Sequence, residues 1–224
     1  CAVVRADHIY NEFSSGTPDA TAYRRFLKML YDRGLPDGSA PRYLLLFGDC
    51  AWDNRMKSSA WQNYSPNDYL LCYQSENSYS DTHSYCWEDY FGLMDDGEGL
   101  HPTEDVSDLG IGRFPVTTES QARIMVDKTI AHLRRDNAGE WRNRIIVMGD
   151  DGDNNIHMKD ANRVADRIMD MSPDLELHKI MWDNYIRTNQ GLYYSYPEIR
   201  SMIEEHINEG AMLFNYTGHG ATYL

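Results

Sequence analysis

The 224-residue sequence lacks any apolar run of the roughly 18 to 20 residues that a membrane-spanning helix requires. It also lacks a secretory signal at its start. No spanning segment is therefore predicted. With 42% hydrophobic and 25% charged residues, the composition is typical of a globular protein with one sizeable core or two small ones. Because the chain begins at Cys1 without a methionine and stops within a motif, we expect a piece of a longer protein.

Basic residues are scarce, and this limits the classes of partner. The sequence has 21 Lys and Arg against 35 Asp and Glu, a formal net charge of −14. Nucleic acids and anionic membranes are bound through basic faces, so we expect neither as a partner. A binding site for a cation is more compatible with this charge.

Cysteine is also scarce, and no pair has the CxxC spacing of common metal sites. The four cysteines are Cys1, Cys50, Cys72 and Cys86. An even count in a chain of this size does not decide between free thiols and disulfides, so the redox compartment stays open.

No repeat or low-complexity tract is present, so periodicity has to define the first half. The segment "GTPDATAYRRFLKMLYDRG" predicts an amphipathic helix capped by Asp19 or Thr17. The apolar run in "RYLLLFGD" predicts a strand buried on both faces, and "DYFGLM" and "DLGIGRFPV" predict two more strands. "TTESQARIMVDKTIAHLRR" predicts a helix capped by Thr118. From Trp52 to Trp87 the chain is rich in aromatic residues, which indicates a partner-binding surface or a loop packed by its own rings.

The last third alternates strand and helix patterns. "RIIVMG", "LELHKIM" and "AMLFNY" are typical of strands, and "KDANRVADRIMDM" and "YPEIRSMIEEHINEG" of helices. This succession predicts parallel strands with helices on the sheet faces. Ligands of such sheets gather beyond the carboxyl ends of the strands. Four polar residues that follow predicted strands are expected to approach this edge: Asp49, Asp151, Asp183 and His219.

His219 lies between two glycines directly after an apolar strand. An imidazole titrates near neutral pH and suits general acid-base chemistry, and glycines allow close approach to it. The alternative is a tight turn in which His219 is a solvated bystander.

The loop "GDDGDNN" has three interpretations: an ordinary turn, a calcium loop, or the source of an aspartate that orients His219. An EF-hand is excluded, since Ile156 stands where the glycine belongs and Asn162 where the glutamate belongs. Residue spacing does not choose among the three.

Several blocks occur in the order found in gingipain-like cysteine peptidases. They are "LFGD", "DYFGLMDD", "DLGIGRFPV", "WRNRIIVMGDDGDNNIHMKDA" and "MLFNYTGHG". The sequence most resembles the sortase branch of that family, which acts in type IX secretion and in which a "DDGDNNIHM"-like loop is typical. The resemblance implies an α/β fold, a caspase-like parallel-sheet sandwich with flanking helices, here as an incomplete catalytic domain. Residues 1–140 would form the N-terminal subdomain and residues 141–224 the start of the catalytic subdomain.

The resemblance also implies a cysteine–histidine dyad in which His219 is the histidine. The assisting carboxylate falls on Asp151, with Asp150 as the fallback, and the amide near Gly220 is expected in the oxyanion hole. The nucleophilic cysteine is expected after the next strand, beyond Leu224, so the chain by itself is expected to be inactive. Cys50 and Cys1 are poor substitutes because neither matches the family's nucleophile position.

Cys72 and Cys86 are candidates for pairing with each other. No cofactor is expected for the chemistry. Structural Ca²⁺ is the alternative to a bare acidic loop at "DDGEG", with Asp95, Asp96 and Glu98 as ligands, and Asp153 is a further candidate ligand.

The resemblance further implies a function at the cell surface, on the extracellular face of the outer membrane. The expected substrates are secreted cargo proteins with C-terminal sorting domains, and the expected partner is an outer-membrane barrel of the secretion system. The residues around Ile156 do not match the pocket of the arginine- and lysine-specific members, which argues against cleavage after basic residues. A secreted endopeptidase and a non-catalytic calcium-stabilised module are the alternative functions.

Overall fold

The structure, a computed structural model, describes residues 1–74, 86–101, 104–189, 191 and 194–220. The chain divides into two compact units, Cys1–Ile130 and Ala131–Leu224. The boundary expected from the sequence, between residues 140 and 141, lies after this division. The roles assigned to the two parts stay predictions.

The first unit contains two helices, α1 (Ala6–Phe13) and α2 (Ala20–Gly34), and two strands, β1 (Tyr43–Phe47) and β2 (Gly110–Phe114). The strands are parallel, and their register pairs Tyr43 with Gly110 and Phe47 with Phe114. Short 3₁₀ turns occupy Leu35–Asp37, Pro66–Asp68 and Glu88–Gly92. A third helix, α3 (Glu119–Arg134), spans the division between the units.

The predicted helix caps are confirmed. The carboxylate of Asp19 accepts a hydrogen bond from the Thr21 N–H at 2.8 Å, which satisfies one of the free donors at the start of α2. At α3, Thr118 Oγ1 accepts from the Gln121 N–H, and the Gln121 side chain accepts from the Thr118 N–H in return. This reciprocal pair is a capping box, which fixes where α3 begins.

The core of the first unit lies between α2, β1 and the turn at Glu88–Gly92. Its buried members are Tyr23, Leu27, Leu46, Leu71, Tyr90, Phe91, Leu93, Met94 and Leu109. The sequence predicts that both faces of β1 are buried, and this prediction is wrong. Leu46 is 6% exposed, but Leu45 is 50% exposed and Phe47 is 46% exposed. Alternate residues of a strand point to opposite faces, and in β1 only one face packs on this core.

The predicted strand in "DYFGLM" is also wrong, because Glu88–Gly92 forms a 3₁₀ helix. The Glu88 carboxylate is held by the guanidinium of Arg113 at 2.9 Å, and Tyr90 and Phe91 are buried. Tertiary contacts therefore override the strand propensity of the aromatic residues at this position.

The aromatic segment packs on itself where it is described. The ring centroid of Trp61 lies 5.1 Å from that of Tyr64 and 5.7 Å from that of Tyr69. Tyr79 and Tyr85 of the same segment lie outside the described residues. The contacts favour a loop packed by its own rings over a free aromatic surface.

The second unit has the alternating order that the sequence predicts. Its elements are β3 (Arg144–Gly149), α4 (Ile156–Met171), β4 (Glu176–Met181), β5 (Thr188–Asn189), β6 (Tyr194–Ser195), α5 (Pro197–Glu209) and β7 (Leu213–Thr217). Strands β4, β3 and β7 form a parallel sheet in that order, and β5 and β6 form a separate antiparallel pair.

The central strand β3 carries both cores of this unit. Ile145 and Val147 pack against Ala161 and Ala165 of α4. Ile146 and Met148, which point to the other face, pack in a second cluster with Ile199 of α5. The period of two along β3 therefore places one helix on each face of the sheet.

The fold is a mixed α/β architecture with parallel sheets and flanking helices, as the sequence predicts. Within the described part of the chain, no helix is both long and apolar enough to cross a membrane.

Candidate active site

Asp150 follows β3 directly and is the one polar or charged residue, among those described, that is buried. It is 4% exposed. A buried carboxylate is costly unless hydrogen-bond donors surround it, so its neighbours define the site.

His219 supplies two of these donors. Its backbone N–H lies 2.7 Å from Asp150 Oδ2, and its ring Nδ1 lies 3.1 Å from the same oxygen. The contact follows from the topology, because β3 and β7 are parallel neighbours and Gly149 pairs with Thr217. The loops that leave the two strands therefore emerge at the same edge of the sheet.

Tyr216 and His157 complete the shell around Asp150. The Tyr216 hydroxyl donates to Oδ2 at 3.0 Å, and His157 Nδ1 lies 2.6 Å from Oδ1. His157 belongs to the first turn of α4, and its ring packs edge-on against that of His219 with centroids 4.6 Å apart. One carboxylate thus orients two imidazoles.

Asp153 contacts the opposite nitrogen of His219. Its Oδ2 lies 2.8 Å from His219 Nε2 and 4.0 Å from His157 Nε2. Carboxylates on both ring nitrogens of His219 favour the doubly protonated imidazolium, in which both nitrogens are donors.

The loop that presents Asp153 has an uncommon backbone. Gly152, Asp153, Asn154 and Asn155 have φ of 92°, 42°, 56° and 63°. This left-handed region favours glycine, and asparagine and aspartate tolerate it better than other residues. The sequence "GDNN" therefore suits a turn that brings Asp153 back toward His219.

The contacts shift the pKa values of Asp150, His219 and Tyr216. Burial alone would raise the pKa of Asp150, but the bonds from the His219 N–H, Tyr216 and the two imidazoles outweigh it and leave the pKa below its ordinary value of 3.8. The hydrogen bond and charge of Asp150 raise the pKa of His219 above 6.5, and Asp153 adds to that rise. Burial, together with the bond to Asp150, raises the pKa of Tyr216 to about 12.

The two glycines around His219 have different roles. A Cβ on Gly218 would lie 2.4 Å from Asp150 Cγ and 2.5 Å from the Tyr216 hydroxyl, closer than any side chain permits. A Cβ on Gly220 would have no atom within 4 Å among those described. Glycine at position 218 therefore allows the chain to pass over the Asp150 carboxylate.

Asp151 does not hold the position that the sequence predicts for it. Its carboxylate accepts a hydrogen bond from the Tyr196 hydroxyl at 2.6 Å and lies 3.5 Å from the Arg187 guanidinium. Successive residues at a strand end point in opposite directions, so only one of the two aspartates can face His219. The structure gives that place to Asp150, the fallback. The catalytic roles of His219 and of the Gly220 amide stay predictions.

One of three comparisons with known proteins found a match. The model of peptidase family C25, the gingipain family of cysteine peptidases, matches residues 1–224. The chain belongs to peptidase family C25. No curated protein and no solved structure matches it. The caspase-like parallel α/β fold expected from the sequence is consistent with this family, and the activity of the family is that of a cysteine peptidase.

Two of the predicted calcium ligands of this C25 chain, Asp96 and Glu98, contact protein groups through their carboxylates. Lys28 Nζ lies 2.9 Å from Asp96 Oδ1, and the Glu98 carboxylate accepts from the Asp95 N–H at 2.9 Å. Among the described residues, two groups bring three metal-ligating side chains within 4.8 Å of one another, and neither contains these three acids. One is Asp150, His157 and His219; the other consists of cysteines of the first unit. Calcium at "DDGEG" or at Asp153 stays a prediction.

The remaining strand-end aspartates, Asp49 and Asp183, follow β1 and β4. Asp49 follows β1, which belongs to a different sheet, and its carboxylate accepts from the Cys50 N–H at 2.8 Å. Asp183 lies in a 3₁₀ turn after β4.

The sequence interpretation missed His157 and Tyr216 of this C25 site. Tyr216 lies in β7, and His157 is the second residue of α4, seven residues after Asp150. Both positions had a usable signal, since both lie inside motifs that carry the resemblance, "MLFNYTGHG" and the "DDGDNNIHM" loop.

Proposed function

We propose that this chain supplies the histidine part of a sortase related to PorU of the type IX secretion system. The enzyme would remove the C-terminal sorting domain of secreted cargo and transfer the cargo to an amine-bearing surface acceptor or to water. The observation that carries the proposal is the pairing of His219 with the buried carboxylate of Asp150.

The two carboxylate contacts assign the nitrogens of His219. Nδ1 is held by the buried Asp150, whereas Nε2 contacts the exposed Asp153, so Nε2 is the nitrogen that exchanges protons once the contact with Asp153 is released. His219 takes the thiol proton of the nucleophilic cysteine as the thiolate attacks the cargo carbonyl carbon. It then returns the proton to the leaving amine as the carbon–nitrogen bond breaks and a thioester forms.

An acceptor amine, or water, completes the reaction by attacking the thioester. His219 removes a proton from this second nucleophile, and the enzyme thiol is released. The backbone amide near Gly220 and that of the cysteine would stabilise the negative oxygen in both steps. The five residues after His219 contain no cysteine, and the nucleophile is expected beyond Leu224.

The sortase assignment rests on one loop. The segment that resembles the sortase branch is "DDGDNNIHM". It supplies Asp150 and Asp153, which contact His219, and His157, which contacts Asp150. The resemblance therefore lies in the residues that build the site and not only in the scaffold. Cargo with C-terminal sorting domains, an outer-membrane barrel partner and the extracellular face of the outer membrane belong to the same proposal.

The test uses a chain continued past Leu224 through the next strand. It is incubated with cargo that ends in a sorting domain, with and without a small amine acceptor, and the products are identified by mass spectrometry. We expect loss of the sorting domain and an amide adduct of the acceptor. His219→Ala should abolish both, and Asp150→Asn should reduce turnover more than Asp151→Asn, which serves as the matched control.

Two other outcomes would replace the proposal. Cleavage of general peptide substrates, with no preference for the sorting-domain junction and no adduct, indicates a secreted endopeptidase. A folded protein that cleaves neither substrate indicates a non-catalytic interaction module.

A further inference from the structure

Three cysteines of the first unit converge, and we name Cys50, Cys72 and Cys86 the three-cysteine cluster. Their sulfur atoms all lie within 4.8 Å of one another, and Cys72 Sγ lies 3.4 Å from Cys86 Sγ. All three are free thiols in the structure, so the candidate pairing of Cys72 with Cys86 is not formed there. The three cysteines lie far apart in the sequence, so it is the fold that brings them together.

Separate backbone contacts hold each member. Cys50 follows β1, and its N–H donates to Asp49 Oδ1 at 2.8 Å. Cys72 is 1% exposed, and Asn54 brackets it by accepting from its N–H and donating to its carbonyl oxygen. Cys86 forms a β-bridge with Gln74 and is exposed. The cluster thus has a rigid buried side and one side open to solvent.

A positive charge is held beside the cluster. The guanidinium of Arg113 donates to Glu88 and to the carbonyl oxygens of Gly48 and Leu71, which precede Cys50 and Cys72 in the chain. A cation at this position favours the thiolate form of cysteine. Thiolate is the form of cysteine that binds metals.

We infer that the three-cysteine cluster is a binding site for a thiophilic cation of the Zn²⁺ class, with three thiolate ligands and a water at the open side by Cys86. Zinc–sulfur bonds of about 2.3 Å in a tetrahedral site set sulfur–sulfur separations of about 3.8 Å, so small side-chain movements suffice to receive the ion. The thiol protons pass to solvent as the ion binds. The bound ion would link the end of β1, through Cys50, to the parts of the chain around Cys72 and Cys86.

A disulfide accounts for less of the arrangement. It would use two of the sulfurs and would leave the convergence of the third unexplained. Three sulfurs with one buried, one half-buried and one exposed member instead resemble a ligand set with an entry path.

The test is a titration of reduced, chelator-treated protein with Zn²⁺ in competition with a chromophoric chelator. His219→Ala is used as the parent, so that the Asp150, His157 and His219 group does not contribute a second site. Cobalt and cadmium serve as spectroscopic probes, since thiolate ligation gives charge-transfer absorption. We expect one equivalent to bind, and each single replacement, Cys50→Ser, Cys72→Ser or Cys86→Ser, to weaken binding by at least about 100-fold, above the effect usual for outer-shell residues.

Cys1→Ser is the matched control and should bind as the parent does. Circular dichroism checks that each variant is folded, and Cys86→Ser, at an exposed position, keeps the test decisive if Cys72→Ser misfolds. Failure of the reduced parent to bind, or binding that survives Cys50→Ser, would overturn the inference. So would a Cys72–Cys86 disulfide in the isolated protein combined with no zinc binding after reduction. None of these outcomes depends on peptidase activity.

Discussion

Asp150 Oδ2 contacts both the backbone N–H and the ring Nδ1 of His219, at 2.7 Å and 3.1 Å. The two contacts fix the ring relative to its own backbone, so the orientation of His219 is set before any substrate arrives. The ring is nevertheless accessible, because its side chain is 64% exposed while that of Asp150 is 6% exposed. A buried anion that orients an exposed imidazole is the arrangement that acid-base catalysis requires.

Asp150→Asn should lower the pKa of His219. The hydrogen bond and charge of Asp150 are the largest causes of its raised value, and the amide carries no charge. NMR titration of the histidine ring protons measures this directly. Asp151→Asn removes the neighbouring carboxylate, which contacts Tyr196 instead, and should leave the titration nearly unchanged. An equal shift in both variants would contradict the assignment of Asp150 as the orienting group.

The same pair should make stability depend on pH in a defined window. The pKa of Asp150 is depressed, so its contribution is present above the unfolded value of 3.8 and is lost as the pH falls through the folded value. The pKa of His219 is raised, so its contribution is present below 6.5 and is lost as the pH rises through the folded value.

Wild type should therefore exceed Asp150→Asn in stability most clearly between about pH 4 and 6.5. Urea unfolding at a series of pH values, followed by circular dichroism, gives the difference. A difference that grows below pH 3.8 has the wrong sign for a depressed carboxylate and would refute the explanation.

Gly218→Ala and Gly220→Ala should behave differently although both glycines flank His219. The alanine methyl at position 218 would overlap Asp150 and Tyr216, and overpacking of this kind typically costs about 1–3 kcal/mol. At position 220 the methyl meets open space among the described atoms and keeps the backbone N–H. We expect a lower unfolding midpoint and an altered His219 titration for Gly218→Ala only. Equal tolerance of both changes would mean that the loop passes over Asp150 less closely.

The sequence predicts the second unit better than the first, and the reason is local. In β3 the run Ile145–Met148 is buried on both faces because a helix covers each, so its apolar pattern and its environment agree. In β1 the same kind of apolar run is covered on only one face. The local sequence does not indicate this, because it does not show what packs against the strand. Whether Asp150 or Asp151 contacts His219 depends on which of the two side chains points toward the loop after β7. A shift of one residue in the strand would exchange them. The contact of His157 with Asp150 depends on the turn at Gly152–Asn155, whose left-handed backbone is set by tertiary structure.

Calcium should stabilise the chain if the expectation from the resemblance holds. The carboxylates of Asp95, Asp96 and Glu98 would have to exchange contacts, such as the one between Asp96 and Lys28, for the ion. A ligand bound only by the native state raises the unfolding midpoint. The measurement is thermal unfolding in calcium and in chelator, with Glu98→Gln expected to reduce the calcium effect. Identical midpoints in the two conditions would exclude a structural calcium site.

Asp153→Asn tests whether the second carboxylate blocks the exchangeable nitrogen of His219. Asp153 Oδ2 lies 2.8 Å from Nε2, and a carboxylate there favours a proton on that nitrogen. The change should lower the pKa of His219, but less than Asp150→Asn does, because Asp153 is the smaller cause of the raised value. It should also increase modification of His219 by diethylpyrocarbonate near neutral pH, since that reagent attacks an unprotonated ring nitrogen. Asp160→Asn, in the helix α4 that follows this loop and paired with Arg163, is the control and should change neither quantity. If Asp153→Asn shifted the titration more than Asp150→Asn, the roles assigned to the two carboxylates would have to be exchanged.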